Sequence, residues 1–176
     1  MSNSLKPAAP EKAAPRFVAN FLTEYLPGVK NEYALLEHAS DGPLKISLPD
    51  LQEETFIFAL HCIDRAVFAH WGPEYRDAFM DCAFGIACAG IADVLPDATR
   101  DPFLKRFRER SGARHLEYIG MKVLMGDGEG PKGFLPYEFG KRICFDAGVY
   151  DPEVVSVMVE GATSIFLMML KIAEDL

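Results

Sequence analysis

The stretch from Pro152 to Ala173, PEVVSVMVEGATSIFLMMLKIA, decides which fold this chain builds. Val154, Met158, Ile165, Phe166, Met169 and Ile172 recur at helical steps, and the apolar residues between them leave little of the surface polar. Ser156, Glu160, Thr163, Ser164, Lys171 and Glu174 fall on one narrow stripe by the same arithmetic. A membrane span would need about 20 uninterrupted apolar residues, whereas Glu160 sits mid-run and Lys171 closes it. The stretch therefore reads as a helix buried on most sides, capped by Asp151-Pro152. Such a helix needs other helices to cover it.

The rest of the chain supplies them. Leu51 to Trp71, LQEETFIFALHCIDRAVFAHW, reads as a second long helix. Ser47 is its cap, and Asp50, Glu53 and Glu54 are acids in its first turns, where the helix dipole favours negative charge. Gly72-Pro73 ends it and opens a third helix to Val94, apolar enough for the core, which closes at Leu95-Pro96. Asp101-Pro102 caps another, with a break expected at Ser111-Gly112 and an end near Met125. Shorter helices are predicted from Phe17 to Leu26, from Lys30 to His38 and from Pro136 to Gly148. Residues 1–15, rich in Ser, Asn, Ala, Pro and Lys, read as a disordered arm. Gly126 to Gly133 reads as a mobile connector with a gating role; its Asp127 and Glu129 would repel phosphate. The expectation is a disordered arm (1–15) and one domain (16–176), an all-α single-domain bundle of about six helices with a largely buried C-terminal helix.

Composition narrows the function. At 176 residues with 49% apolar content and 13 Phe, core material is ample, and the surplus favours a partner or self-association. A net charge of −8 repels nucleic acid and anionic membrane. Between Arg100 and Arg114, however, six cations stand against Asp101 and Glu109, a local +4 that leaves −12 for the rest. The four cysteines form no C-x-x-C pair, and the first residues lack a basic stretch followed by an apolar run. Free thiols in the cytoplasm are therefore expected.

Candidate sites lie on two segments. On the Leu51 to Trp71 helix, Glu54, His61, Asp64, Arg65 and Phe68 share a face. Asp64, three residues after His61, is placed to accept from the imidazole and favour its charged form. The alternative is an ionic seam that faces solvent or contacts a neighbouring helix, with Arg65 reaching an acid of that helix. Arg106 and Arg108, with Lys105 and Arg110, form a basic face that either binds an acidic protein or anionic small molecule, or is neutralised by the chain's own acids. No Glu-x-x-His, His-x-x-x-His or C-x-x-C-H occurs, so no metal ligand or cofactor is assigned. Gly-x-Ser-x-Gly is absent, and nothing local joins Cys144 to His115, so no catalytic residue is named.

The expected function is a non-enzymatic helical interaction protein, an adaptor, regulator or immunity-type inhibitor, forming a homodimer. The alternative is a small-molecule-binding or enzymatic bundle with an apolar cavity and His61, Asp64 and Arg65 as polar contacts.

Overall fold

The computed structural model describes residues 7–94, 97–122 and 131–176. It is an all-α single-domain bundle. Among the described residues its helices are α1 (Pro10–Asn20), α2 (Val29–Ala39), α3 (Leu48–Trp71), α4 (Pro73–Val94), α5 (Asp97–Tyr118), α6 (Leu135–Ala147) and α7 (Pro152–Asp175). A π-helical turn at Phe21–Tyr25 and a 3-10 turn at Leu26–Gly28 join α1 to α2.

Local chemistry sets most helix ends. The Ser47 hydroxyl accepts from the Asp50 amide at 3.2 Å, and Asp151 Oδ1 accepts from the amides of Glu153 at 2.8 Å and Val154 at 3.4 Å. Each satisfies donors that the first helical turn leaves without a partner. Gly72 sits at φ +82°, a conformation that only glycine adopts without strain, and Pro73 starts α4 directly after it.

Helix α3 is the axis of the bundle. Helices α2, α4, α5 and α7 pack on it, α1 packs on α4 and α6 on α7. Its Phe56 meets Phe21 on one side and Phe107 on the other, while Phe58 stacks on Phe139 and meets the edge of Tyr118. Burial of side chains this size contributes about 1.5–3 kcal/mol each. The α6–α7 contact depends on Gly140, where a Cβ would lie 2.7 Å from the Val159 backbone nitrogen.

Several expectations are corrected. The arm read as disordered is helical from Pro10. Alanine is a strong helix former, and Ala13 and Ala14 are small enough to bury against the bundle beside Phe17 and Val18. The segment is also tied down. Tyr75 donates to the Ala8 carbonyl at 2.7 Å, and the Ala8 amide donates to the carbonyl of Leu176. Helix α5 starts upstream of Pro102 and runs unbroken through Ser111-Gly112. The proline lies within the helix and removes one backbone hydrogen bond from it. Helix α7 buries one face, through Val154, Met158, Ala162, Ile165, Phe166, Met169 and Ala173, and not most of its sides. Among the described residues it is the one helix long and apolar enough to cross a membrane, and 33% of its most apolar stretch is buried. Helix α4 likewise buries a single stripe, including Phe79, Ala83 and Ala87. Leu95-Pro96, Met1 to Lys6 and the connector up to Gly130 lie outside the described residues.

Candidate functional site

Among the described residues every buried polar side chain, Glu53, Glu54, Thr55, His61 and Asp64, belongs to α3. A buried charge survives in a fold only when paired, so these side chains dictate what α4, α5 and α6 place opposite them.

The first turns of α3 face a ladder of arginines. Glu53 accepts from Arg106 at 2.8 Å, and Asp50 from Arg110 at 3.3 Å. Glu54, 4% exposed, accepts two bonds from Arg114, at 3.0 and 3.1 Å, and one from Arg142 of α6 at 3.0 Å. The same Arg142 nitrogen donates to the Tyr118 hydroxyl at 2.6 Å, and its guanidinium lies over the Tyr118 and Phe139 rings. Burial pushes the Tyr118 phenol above its usual range and keeps it protonated. The basic segment of α5 thus finds its counter-ions inside the chain, through Arg106, Arg110 and Arg114. Arg108 points to the opposite side, where it reaches the Cys88 thiol.

Further along α3 the chemistry changes. Asp64 does not pair with His61. It takes a two-point contact from Arg76 of α4, through Nε to Oδ1 and through Nη2 to Oδ2 at 3.1 Å, and Arg76 also holds Asp77 at 2.7 Å. Arg65 reaches the carbonyls at the end of α5, those of Tyr118 at 3.3 Å, Ile119 at 3.4 Å and Met121 at 3.0 Å. These are acceptors that a helix C-terminus leaves open.

His61 is left without a partner. It is 6% exposed, and both Nδ1 and Nε2 are buried with no hydrogen bond. Its ring lies 5.2 Å from Tyr118 and 5.6 Å from His115 of α5. Burial, only partly opposed by the Asp64 charge, pushes the imidazole down to about 4, so it is neutral at pH 7. The expected charged His61–Asp64 pair is therefore corrected: the carboxylate is taken by Arg76, and desolvation disfavours the cation.

His61 lines a cleft of about 380 Å³ between α3, α4 and α5. Ile57, Leu60, Met80 and Phe84 form its apolar walls, with Asp64, Arg76, Asp81, Ser111 and His115 as further polar groups. His61, Asp64, Arg76 and His115 also line an adjoining hollow of about 370 Å³ whose wall includes Phe68 and Ile119. Phe68, Ile119 and the neighbouring Leu116 are more than half exposed, so the approach to the hollow is apolar.

Of the residues singled out in the sequence, His61 and Asp64 line one cleft and Arg65 borders the adjoining hollow. Arg106 and Arg108 lie elsewhere on α5. Sequence reasoning missed Arg76 and His115, which come from other helices and carry no spacing mark relative to α3. Comparison with known protein families, curated proteins and solved structures finds no match. The class defined here is therefore the one the fold and cleft themselves describe: a helical bundle with a half-open, mostly apolar cleft and a polar floor.

Proposed function

We propose that this protein binds a small amphipathic molecule in the cleft between α3, α4 and α5. The observation that supports it is His61, buried with two unsatisfied nitrogens in the wall of a cavity of about 380 Å³. Leaving a buried polar group without a partner costs about 1–3 kcal/mol, a penalty that a ligand group hydrogen-bonded to His61 would remove. The apolar body of such a ligand would lie against Ile57, Leu60, Met80 and Phe84, and its polar end would meet His61. The size falls within the range of small-molecule sites, and an apolar lining with a few convergent polar groups is their usual composition.

The test is titration with 8-anilinonaphthalene-1-sulfonate, an anionic apolar dye whose fluorescence rises on transfer from water. Gly85 lines the cleft, and a Cβ there meets nothing within 4 Å, so Gly85→Leu introduces its side chain into the cleft without strain at the Cβ. Wild type should bind the dye saturably and Gly85→Leu should not, with equal or higher thermal stability in the variant. Equal binding by both, or none by wild type, contradicts the reading.

A second reading, a non-enzymatic interaction protein that dimerises, rests on α7, where Val157 and Leu167 are about half exposed. Apolar side chains on the open side of a helix favour a covering partner. Light scattering at micromolar concentration separates a dimer from a 19.5 kDa monomer. The four unbonded cysteines fit a reducing compartment such as the cytoplasm under either reading.

A further inference from the structure

The geometry points to a divalent transition-metal site formed by His61 and Asp64 of α3 with His115 of α5. One donor atom from each of the three residues lies within 4.8 Å of the other two. Donors around a tetrahedral zinc ion stand about 3.4 Å apart, as metal–nitrogen bonds of about 2.0–2.1 Å require. His61 and Asp64 are three apart on one helix face, so α3 presents two donors together and α5 supplies the third.

Three further observations support the assignment. Both His61 nitrogens are buried and unpartnered, so a lone pair is available for an ion. Arg76 holds the Asp64 carboxylate edge-on, and each carboxylate oxygen keeps a second lone pair; a ligating carboxylate fixed by an outer hydrogen bond is the usual arrangement around a bound metal. The Arg76 charge is itself offset by Asp77, and Asp81 adds a further negative charge at the cleft. Two imidazoles and one carboxylate suit zinc or iron(II), and three protein donors would leave a coordination position open.

This site goes beyond the binding of an apolar molecule and requires no organic ligand, so the dye titration succeeds or fails independently of it. The experiment is calorimetric titration of Zn²⁺ alone into the full chain stripped with a chelator. One equivalent should bind to wild type, and to a His38→Ala/His70→Ala variant that removes the two exposed imidazoles. His115→Ala changes a half-exposed side chain and should fold normally, yet weaken binding by at least about 10–100-fold. Asp64→Asn should weaken it too; if that variant fails to fold because Arg76 is stranded, His115→Ala still decides. Co²⁺ bound to wild type should give the visible bands of a nitrogen–oxygen site of low coordination number, and these should vanish in His115→Ala. No Zn²⁺ binding by wild type, or equal affinity in His115→Ala, overturns the proposal.

Discussion

Replacing Glu54 by glutamine removes one negative charge at nearly constant volume from the point where three helices meet. Glu54 is 4% exposed and accepts from Arg114 and Arg142, and Arg110 approaches to 3.6 Å. Hydrogen bonds to charged groups contribute about 1.5–3 kcal/mol each, and breaking a fully buried pair costs about 3–5 kcal/mol. The arginines do not all lose that much. The Arg110 and Arg114 side chains are 28% and 25% exposed, so water repays part of their loss, which places them nearer the weak limit of exposed pairs. Arg142 is 14% exposed and keeps only Tyr118 at 2.6 Å and Glu117 at 3.6 Å. The expected loss is therefore about 3 kcal/mol, near the lower end of the buried-pair range. For a chain of this length that lowers Tm by about 6–12 °C. Urea unfolding followed by circular dichroism gives the number, and a double-mutant cycle with Arg142→Met isolates the pair, with a coupling of about 1–3 kcal/mol expected. A loss well below 1 kcal/mol, or no coupling to Arg142, would refute the claim that this ladder organises α3, α5 and α6.

Two further perturbations read other parts of the fold. Gly140→Ala should destabilise by about 1–3 kcal/mol despite the better helix propensity of alanine, because the new Cβ meets α7 backbone that cannot yield; a thermal melt showing stabilisation would contradict the close α6–α7 approach. Burial raises the Glu32 carboxyl above its usual value, so its ionised form is disfavoured in the fold relative to the unfolded chain. That penalty is fully present above the folded value and absent below the unfolded one, so Glu32→Gln should be more stable than wild type at about pH 7 and indistinguishable from it at about pH 3.

Which features were legible in the sequence follows from the range of the interactions that make them. Ser47, Gly72-Pro73 and Asp151-Pro152 act on amides and dihedrals within a turn of themselves, and each marks the helix end expected of it. The part of helix α1 before Phe17 was not legible, because Ala13 and Ala14 bury by being small and leave no large apolar period to count. Pro102 misled for a related reason: it marks a helix start only when nothing upstream continues the helix. At the site, the apolar setting of His61 and Asp64 singled them out, but whether they face solvent or are buried against partners was left open. The partners themselves were invisible. Arg76 and His115 meet α3 only after α4 and α5 have packed on it, and a cross-helix contact leaves no spacing signature in one sequence. The arginines of α5 showed the same ambiguity, since a solvated basic face and an internal ladder differ only in what lies opposite.

His61 either serves binding or holds the fold together, and one comparison separates the two roles. The measurement is dye affinity and urea stability of His61→Leu beside wild type, both in chelator. Leucine removes two buried nitrogens that make no hydrogen bond in the unliganded protein. Stability should stay level or rise by about 1 kcal/mol, while affinity for 8-anilinonaphthalene-1-sulfonate falls by about tenfold or more, the equivalent of one lost hydrogen bond. A stability loss of several kcal/mol with dye affinity unchanged would make His61 a structural residue and contradict the proposed site.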